Sequence, residues 1–444
     1  MSTIPTPHGA DDIHSQETPE EEVAHHVPPG AAAVQRRTLT VLVLMQVIGT
    51  VGVGIAPSIG VLLAGQVTEN ETWAGLARTA STLGAAMLSI PLGALAARRG
   101  RRIALASGWW IAAVGAAILV GVAQFSLVVP LFLGLLLIGA GSAVSLQARF
   151  AATDLADTHH QARALAIVVW VGTLGSVIGP NLGVPGRTVG SLLGLNLFAG
   201  AFLIAAVCLA AAGLLVYLLL RPDPLLLLQQ RTQGEVTVKT GAKSFRLGEV
   251  IAQMRSQPVI RVAVLAVVTA QVVMVALMTM TPVHMEHHGG SIEIIGLTIS
   301  LHVAGMYALS PLVGVMADRT GFRPTLVLGV VVLLASLLIA TVRPHSTGWI
   351  IASLILLGVG WCFVNVAGSA LFSASLPDHA LASAQGGLDA FSNLSGATAA
   401  FLSGPFLAAS GFPMLAILSG TIMVPLILVL LRPLPAPCPE PADC

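Results

Sequence analysis

Twelve apolar runs, each about as long as a bilayer is thick, constrain this chain more than any other feature. They fall near 39–65, 73–97, 103–123, 126–148, 164–185, 193–220, 259–283, 294–316, 324–342, 348–371, 382–408 and 412–431. Runs of about 20 apolar residues cross the hydrocarbon core as helices, and none shows the alternation that barrel strands need. Composition agrees: with 55% apolar and 9% charged residues, the apolar surface cannot be hidden in a water-soluble core, where about a quarter of residues carry charge. The expected fold class is all-α integral membrane, with twelve transmembrane helices arranged as two six-helix pseudo-repeats.

The runs divide the chain. Residues 1–36 are acidic and Pro-rich without an apolar stretch; they read as a disordered tail and not a cleaved signal peptide. A six-helix bundle is expected over 37–220, a polar linker over 221–258, a second bundle over 259–432, and a short tail over 433–444. Cys208, Cys362, Cys438 and Cys444 lack the paired spacing of a disulfide framework. Short loops set orientation through their Lys/Arg bias. With both termini in the cytoplasm, 18 Lys/Arg lie inside and only Arg78, Arg187 and Arg343 lie at the outer side. The expected location is the plasma (inner) membrane, crossed many times.

The halves repeat. GALAARRGRR (93–102) follows the second span and GVMADRTGFR (314–323) follows the eighth, 221 residues later. Gly179-Pro180 and Gly404-Pro405 both read as lying near the outer ends of spans 5 and 11. The paired loops, through Gly93, Arg98, Gly100 and Arg101, then Gly314, Asp318, Arg319, Gly321 and Arg323, resemble the signature loop of the major facilitator superfamily. That resemblance covers about 37–432. It implies alternating access around a cavity between the halves, and a conformational latch in each loop. The first copy departs from the family pattern, with Ala97 where the aspartate usually stands, which puts its latch in doubt. In the second, the Asp318 carboxylate is expected to meet basic residues or a helix N-terminus.

A methionine and histidine cluster raises the question of substrate. Residues 274–306 hold five of the chain's 12 Met and four of its 12 His, where even scatter would put about two. Met274 and Met278 are four apart on one helix face, as are His302 and Met306 on the next. His284, His287 and His288 lie at the intervening turn, placed to pass a metal inward. Single Met pairs are ordinary packing, but an intramembrane imidazole is a functional-site hypothesis by default. Thioethers and a neutral imidazole form a soft ligand set that suits Cu(I). The double motif resembles the CcoA-type copper importers of the same superfamily, a branch that also includes relatives resembling riboflavin carriers. Cu(I) is then a substrate, with no permanently bound cofactor, and the four ligands are expected to face the N-terminal half.

Two other readings stay open. Gly175, Gly179, Pro180 and Gly183 form a Gly-x-x-x-Gly-Pro-x-x-Gly run similar to drug–proton antiporters, which implies proton-coupled efflux of small organic compounds; uptake of an organic solute such as riboflavin is the other. Asp389, the one carboxylate well inside a span, is a proton-coupling candidate or a structural cap. Arg78 either snorkels outward or faces the cavity, and Cys362 is a small hydrophobe or part of a copper path. Gln46, Gln271 and Asn365 are candidate cavity hydrogen-bonders or interhelical glue. Asp154 and Arg163 bracket the loop between spans 4 and 5 as a gate pair or a solvated one. The tail histidines (8, 14, 25, 26) read as having no role. No GxSxG, HExxH or P-loop marks an enzyme. Expected partners are the bilayer and a small-molecule or metal-ion substrate, with no nucleic acid and a monomeric state.

Overall fold

The structure, a computed structural model, describes residues 31–69, 72–155, 161–232, 257–375 and 378–432. The tail histidines, Cys438, Cys444 and most of the linker lie outside them. Among the described residues nine stretches are long and apolar enough to cross a membrane. Two of these, Gly75–Phe125 and Gly387–Leu430, break at Gly100 and Gly411. With 161–193, itself built of three helical pieces, the crossings number twelve. They are labelled α1 (31–68), α2 (72–99), α3 (101–125), α4 (Val128–Ala151), α5 (161–193) and α6 (Leu197–Leu219) in the first half. The second half holds α7 (Pro258–His287), α8 (292–320), α9 (Phe322–Val342), α10 (Thr347–Ala374), α11 (378–410) and α12 (412–430).

Each half has its own apolar core. In the first, Trp109 is fully buried against Gly49 and Gly141, with its indole N–H on the Met45 sulfur at 3.0 Å. The second is built on α7 and includes Met274, Met278, Phe372 and Phe412. Large apolar side chains are also left bare outside: Ile90, Val129 and Leu192 are at least 78% exposed. Helices that close every backbone hydrogen bond internally tolerate lipid there.

The repeat extends to the backbone. Gly100 (φ 86°, ψ 170°) and Gly321 (φ 89°, ψ 164°) are equivalent positions of the two loops and turn the chain identically. That left-handed conformation is open to glycine and strained for other residues.

The outer end of α5 lies further on than expected. Gly179-Pro180 sits near its middle and not near its outer end. Residues Gly179–Leu182 form a 3-10 turn in its middle, and helix continues to Leu193. Proline removes one backbone donor, and neighbouring helices absorb the irregularity. Gly179 lies so close to Gly54 of α1 that any side chain would meet backbone.

The halves touch mainly at the end of the bundle away from the arginine-rich loops. Gly75 of α2 packs on the Ala400 carbonyl of α11, and the Thr79 hydroxyl donates to the Ala397 carbonyl at 3.0 Å. Between α5 and α8, the Asn181 amide donates to the Ser300 hydroxyl at 2.6 Å, which donates to the Val177 carbonyl at 2.5 Å. Arg187 and Glu293 form an ion pair at 2.9 Å beyond them. All these residues belong to the same end of their helices, so that face is closed.

Candidate functional site

The four proposed metal ligands are sealed. Met274, Met278, His302 and Met306 are 3, 5, 0 and 7% exposed, inside the second half. They do not point at lipid. His302 does not face the first half either: its Nδ1 lies 2.7 Å from the Leu354 carbonyl of α10, against which α8 packs closely at Gly358. A carbonyl only accepts, so Nδ1 carries the proton and donates, and in the neutral ring Nε2 keeps a bare lone pair. That Nε2 is buried and without a hydrogen-bond partner.

The histidines at the α7–α8 turn are tied into a chain. The His284 Nε2 donates to the Pro344 carbonyl at 2.7 Å, and its ring stacks on Phe412. The His288 Nδ1 donates to the His284 carbonyl at 2.8 Å, and its Nε2 lies 2.9 Å from Nδ1 of His345. This chain fastens the α7–α8 turn to the α9–α10 turn; His345 was not singled out from sequence. His287 lies apart, lining a cleft with Gln66, Glu69 and Glu286. Among the described residues no group of three or more His, Cys, Asp or Glu is arranged to hold a metal ion, though a thioether set is a different geometry.

A second cluster lies at mid-span and borders open space. Gln271 of α7, Tyr307 of α8 and Trp361 of α10 are all partly exposed despite their depth. The Trp361 indole N–H donates to the Gln271 side-chain oxygen at 3.0 Å, and the Tyr307 ring meets Trp361 edge-on with centroids 6.0 Å apart. From the other half, the charge of Arg78 on α2 reaches Tyr307 and His302. Arg78 stands on α2 between Gly75 and Thr79, both of which contact α11 of the second half, so it borders the junction of the two halves. Tyr307 also lies within electrostatic reach of the fully buried Cys362. Gln46 fills the gap at Gly172 of α5, inside the first half, with its oxygen buried and unpartnered.

At the arginine-rich face, Asp389 pairs with Arg149 of α4 at 3.2 Å, joining the two halves. Its side chain is 56% exposed, so it is less enclosed than the sequence reading supposed. Helix α11 begins at Asp378, which places Asp389 11 residues in.

The loop latches also differ from expectation. The first copy has a carboxylate after all, supplied by Asp223 beyond α6. Asp223 accepts from the backbone N–H of Arg101 (3.2 Å) and Arg102 (2.8 Å), at the start of α3, and from those of Leu225 and Leu226. It sits so close to Gly100 that a Cβ there would fall on the carboxylate. Arg101 itself makes two hydrogen bonds to Asp154, at 2.8 and 3.1 Å. Asp154 is thus Arg101's partner; the Arg163 side chain lies outside the described residues. In the second copy Asp318 is exposed and makes no contact with a base or a helix N-terminus among the described residues. Arg323 instead donates to the Leu430 carbonyl at the end of α12, at 3.1 and 3.2 Å. Arg98 and Arg319 are exposed, and Gly93 and Gly314 border open space. On α5, Gly175 abuts α1 at Val47 and Thr50, while Gly183 meets Ile292 of α8.

Comparison with known proteins follows this geometry. A family model described as the Major Facilitator Superfamily matches residues 39–306 and 277–443. An uncharacterized MFS-type transporter of Bacillus subtilis, YddS, is 36% identical over 389 residues, covering 87% of this chain and 88% of its own. The riboflavin transporter RfnT of Brucella anthropi is 29% identical over 406 residues, covering 89% and 96%. Among solved structures, the nucleoside transporter NupG superposes with a TM-score of 0.66 at 14% identity, covering 90% and 98%. At that identity it shares the fold alone.

Proposed function

The chain belongs to the Major Facilitator Superfamily, and from that premise we propose that it takes up a small organic solute by alternating access. It is an integral membrane transporter and not an enzyme. The observation that carries the choice of substrate is the contrast between the two clusters. Gln271, Tyr307 and Trp361 border accessible space opposite Arg78, as a solute cavity requires, whereas the methionines are packed away. Ligand sites of this kind combine apolar and aromatic walls with a few convergent polar groups. The riboflavin named for the Brucella relative is a planar solute of the size such walls suit. With both termini in the cytoplasm, the more tightly packed face is the outer one, while the Arg149–Asp389 pair spans the halves at the inner one. Arg149–Asp389 and Arg187–Glu293 then act as gate pairs on opposite faces, which gives Asp389 a gating role in place of proton relay.

Cu(I) import through Met274, Met278, His302 and Met306 is the second reading. It is favoured by one observation, the unpartnered Nε2 lone pair of His302. Against it stands the enclosure of the same ring, which is fully buried within the second half.

The two part in a deletion strain examined with and without the gene. Cellular copper is expected to stay the same, while an organic solute of roughly riboflavin size accumulates only with the gene present. The double variant Met274→Leu/Met278→Leu conserves volume, at a packing cost under about 1.5 kcal/mol per site, so organic accumulation should survive it. Copper that accumulates with the gene, and is lost in that variant at normal protein abundance, would overturn the organic-solute reading in favour of Cu(I).

A further inference from the structure

We propose that the transported solute carries an anionic group, a carboxylate or a phosphate, that docks on Arg78 in the cavity between the halves. This rests on the organic-solute reading and narrows it to a charge class. Arg78 lies six residues past the start of α2, about 9 Å down the helix at the standard rise. Its side chain is only partly exposed and makes no hydrogen bond or ion pair among the described residues.

An ionised side chain at such depth is costly, so intramembrane arginines normally pair with an acid or serve a substrate path. Among the described residues no acid forms an ion pair with Arg78. The group that senses Arg78 most directly is Tyr307, with His302 beside it, and both are neutral acceptors or donors. The carboxylates that do pair with arginine choose others: Asp389 has Arg149, Glu293 has Arg187, and Asp154 has Arg101. Among the described residues the guanidinium is thus left uncompensated.

Arginine keeps its proton in proteins, and its planar fork matches carboxylate and phosphate oxygens two at a time. Opposite it, the Trp361 and Tyr307 rings offer faces and edges to a planar group. Together they describe a small aromatic anion. Riboflavin has no fixed anion, so this chain's solute would differ from it at that point.

The test uses purified full-length protein and matched probe pairs: benzoate with benzamide, nicotinate with nicotinamide, and phenyl phosphate with benzyl alcohol. Binding is read by thermal shift and by tryptophan quenching. At least one acid is expected to bind while its neutral partner does not, and Arg78→Gln is expected to weaken that binding about tenfold or more. Arg78→Lys should keep part of it, because the charge remains. The carboxylate and phosphate arms separate the two sources of negative charge. The acid–neutral comparison on the wild-type protein stands even if a variant folds poorly. Equal binding of acid and neutral partner, acid binding unchanged in Arg78→Gln, or no acid binding at millimolar concentration would each overturn the proposal. A neutral organic solute that accumulates with the gene, equally well in Arg78→Gln, would remove the anion and leave the organic-solute reading standing.

Discussion

Gly75→Leu is expected to abolish transport while leaving the protein folded and abundant. Gly75 is where α2 of the first half meets α11 of the second, backbone to backbone, on the closed face. A Cβ there would fall on the Ala400 carbonyl, and backbone cannot move aside as a side-chain tip can. The two cores are separate and reach this contact only through small residues, Ala77 and Ala80 on one side and Ala399 and Ala400 on the other, so a leucine strains closure more than the folding of either half. Overpacking of this severity costs about 3 kcal/mol, which would lower the closed population by about a hundredfold. Alternating access needs that population, and solute accumulation should disappear with it. Thr79→Cys, one turn along in the same contact, reports closure directly once Cys208, Cys362, Cys438 and Cys444 are replaced by serine. A membrane-impermeant maleimide should label it faster when leucine occupies position 75. Gly121→Leu is the control, because that position borders open space. If Gly75→Leu labels at the parental rate and still accumulates solute, the α2–α11 contact is not the closing surface.

Sequence made some of this legible and hid the rest for identifiable reasons. The spans could be placed because a bilayer demands apolar runs of fixed length, a signal local to each run. The repeat was visible because Gly100 and Gly321 both need a backbone that favours glycine. The outer end of α5 was harder to place: its last turns, 186–193, carry Gly186, Arg187, Thr188, Gly190 and Ser191 and fall outside the apolar run, yet helix continues through the 3-10 turn at Gly179–Leu182. The four-residue spacing of His302 and Met306 fixed their common helix face but not which neighbour that face meets. The neighbour proved to be α10, through Leu354. Partners far apart in sequence gave no local signal: Asp223 lies 122 residues from Arg101, and His345 lies 57 from His288. Arg78 stood out as a charge inside a span, yet only the fold shows what surrounds it.

The missing aspartate of the first loop leads to the second large effect, expected at Asp223. Asp223→Ala should lower the melting temperature by several degrees and cut transport sharply. One carboxylate accepts four backbone N–H groups here, two of them at the start of α3 where a helix end leaves donors without partners. Losing an N-terminal cap costs about 0.5–2 kcal/mol, and hydrogen bonds to a charged acceptor are worth about 1.5–3 kcal/mol. A total near 3 kcal/mol is therefore reasonable for the alanine variant. The same carboxylate anchors the chain leaving α6 to the start of α3, while Arg101 beside it grips Asp154 beyond α4. Three helix ends would loosen together at the face that must open and close. Asp223→Asn keeps one accepting oxygen and should fall between alanine and wild type. Restoring the family pattern with Ala97→Asp should not rescue Asp223→Ala. Residue 97 is exposed near the end of α2, whereas the orphaned N–H groups belong to α3, beyond the turn at the buried Gly100. Rescue by Ala97→Asp, seen as a recovered melting temperature and recovered accumulation, would show that the loop needs a carboxylate nearby and not this particular staple.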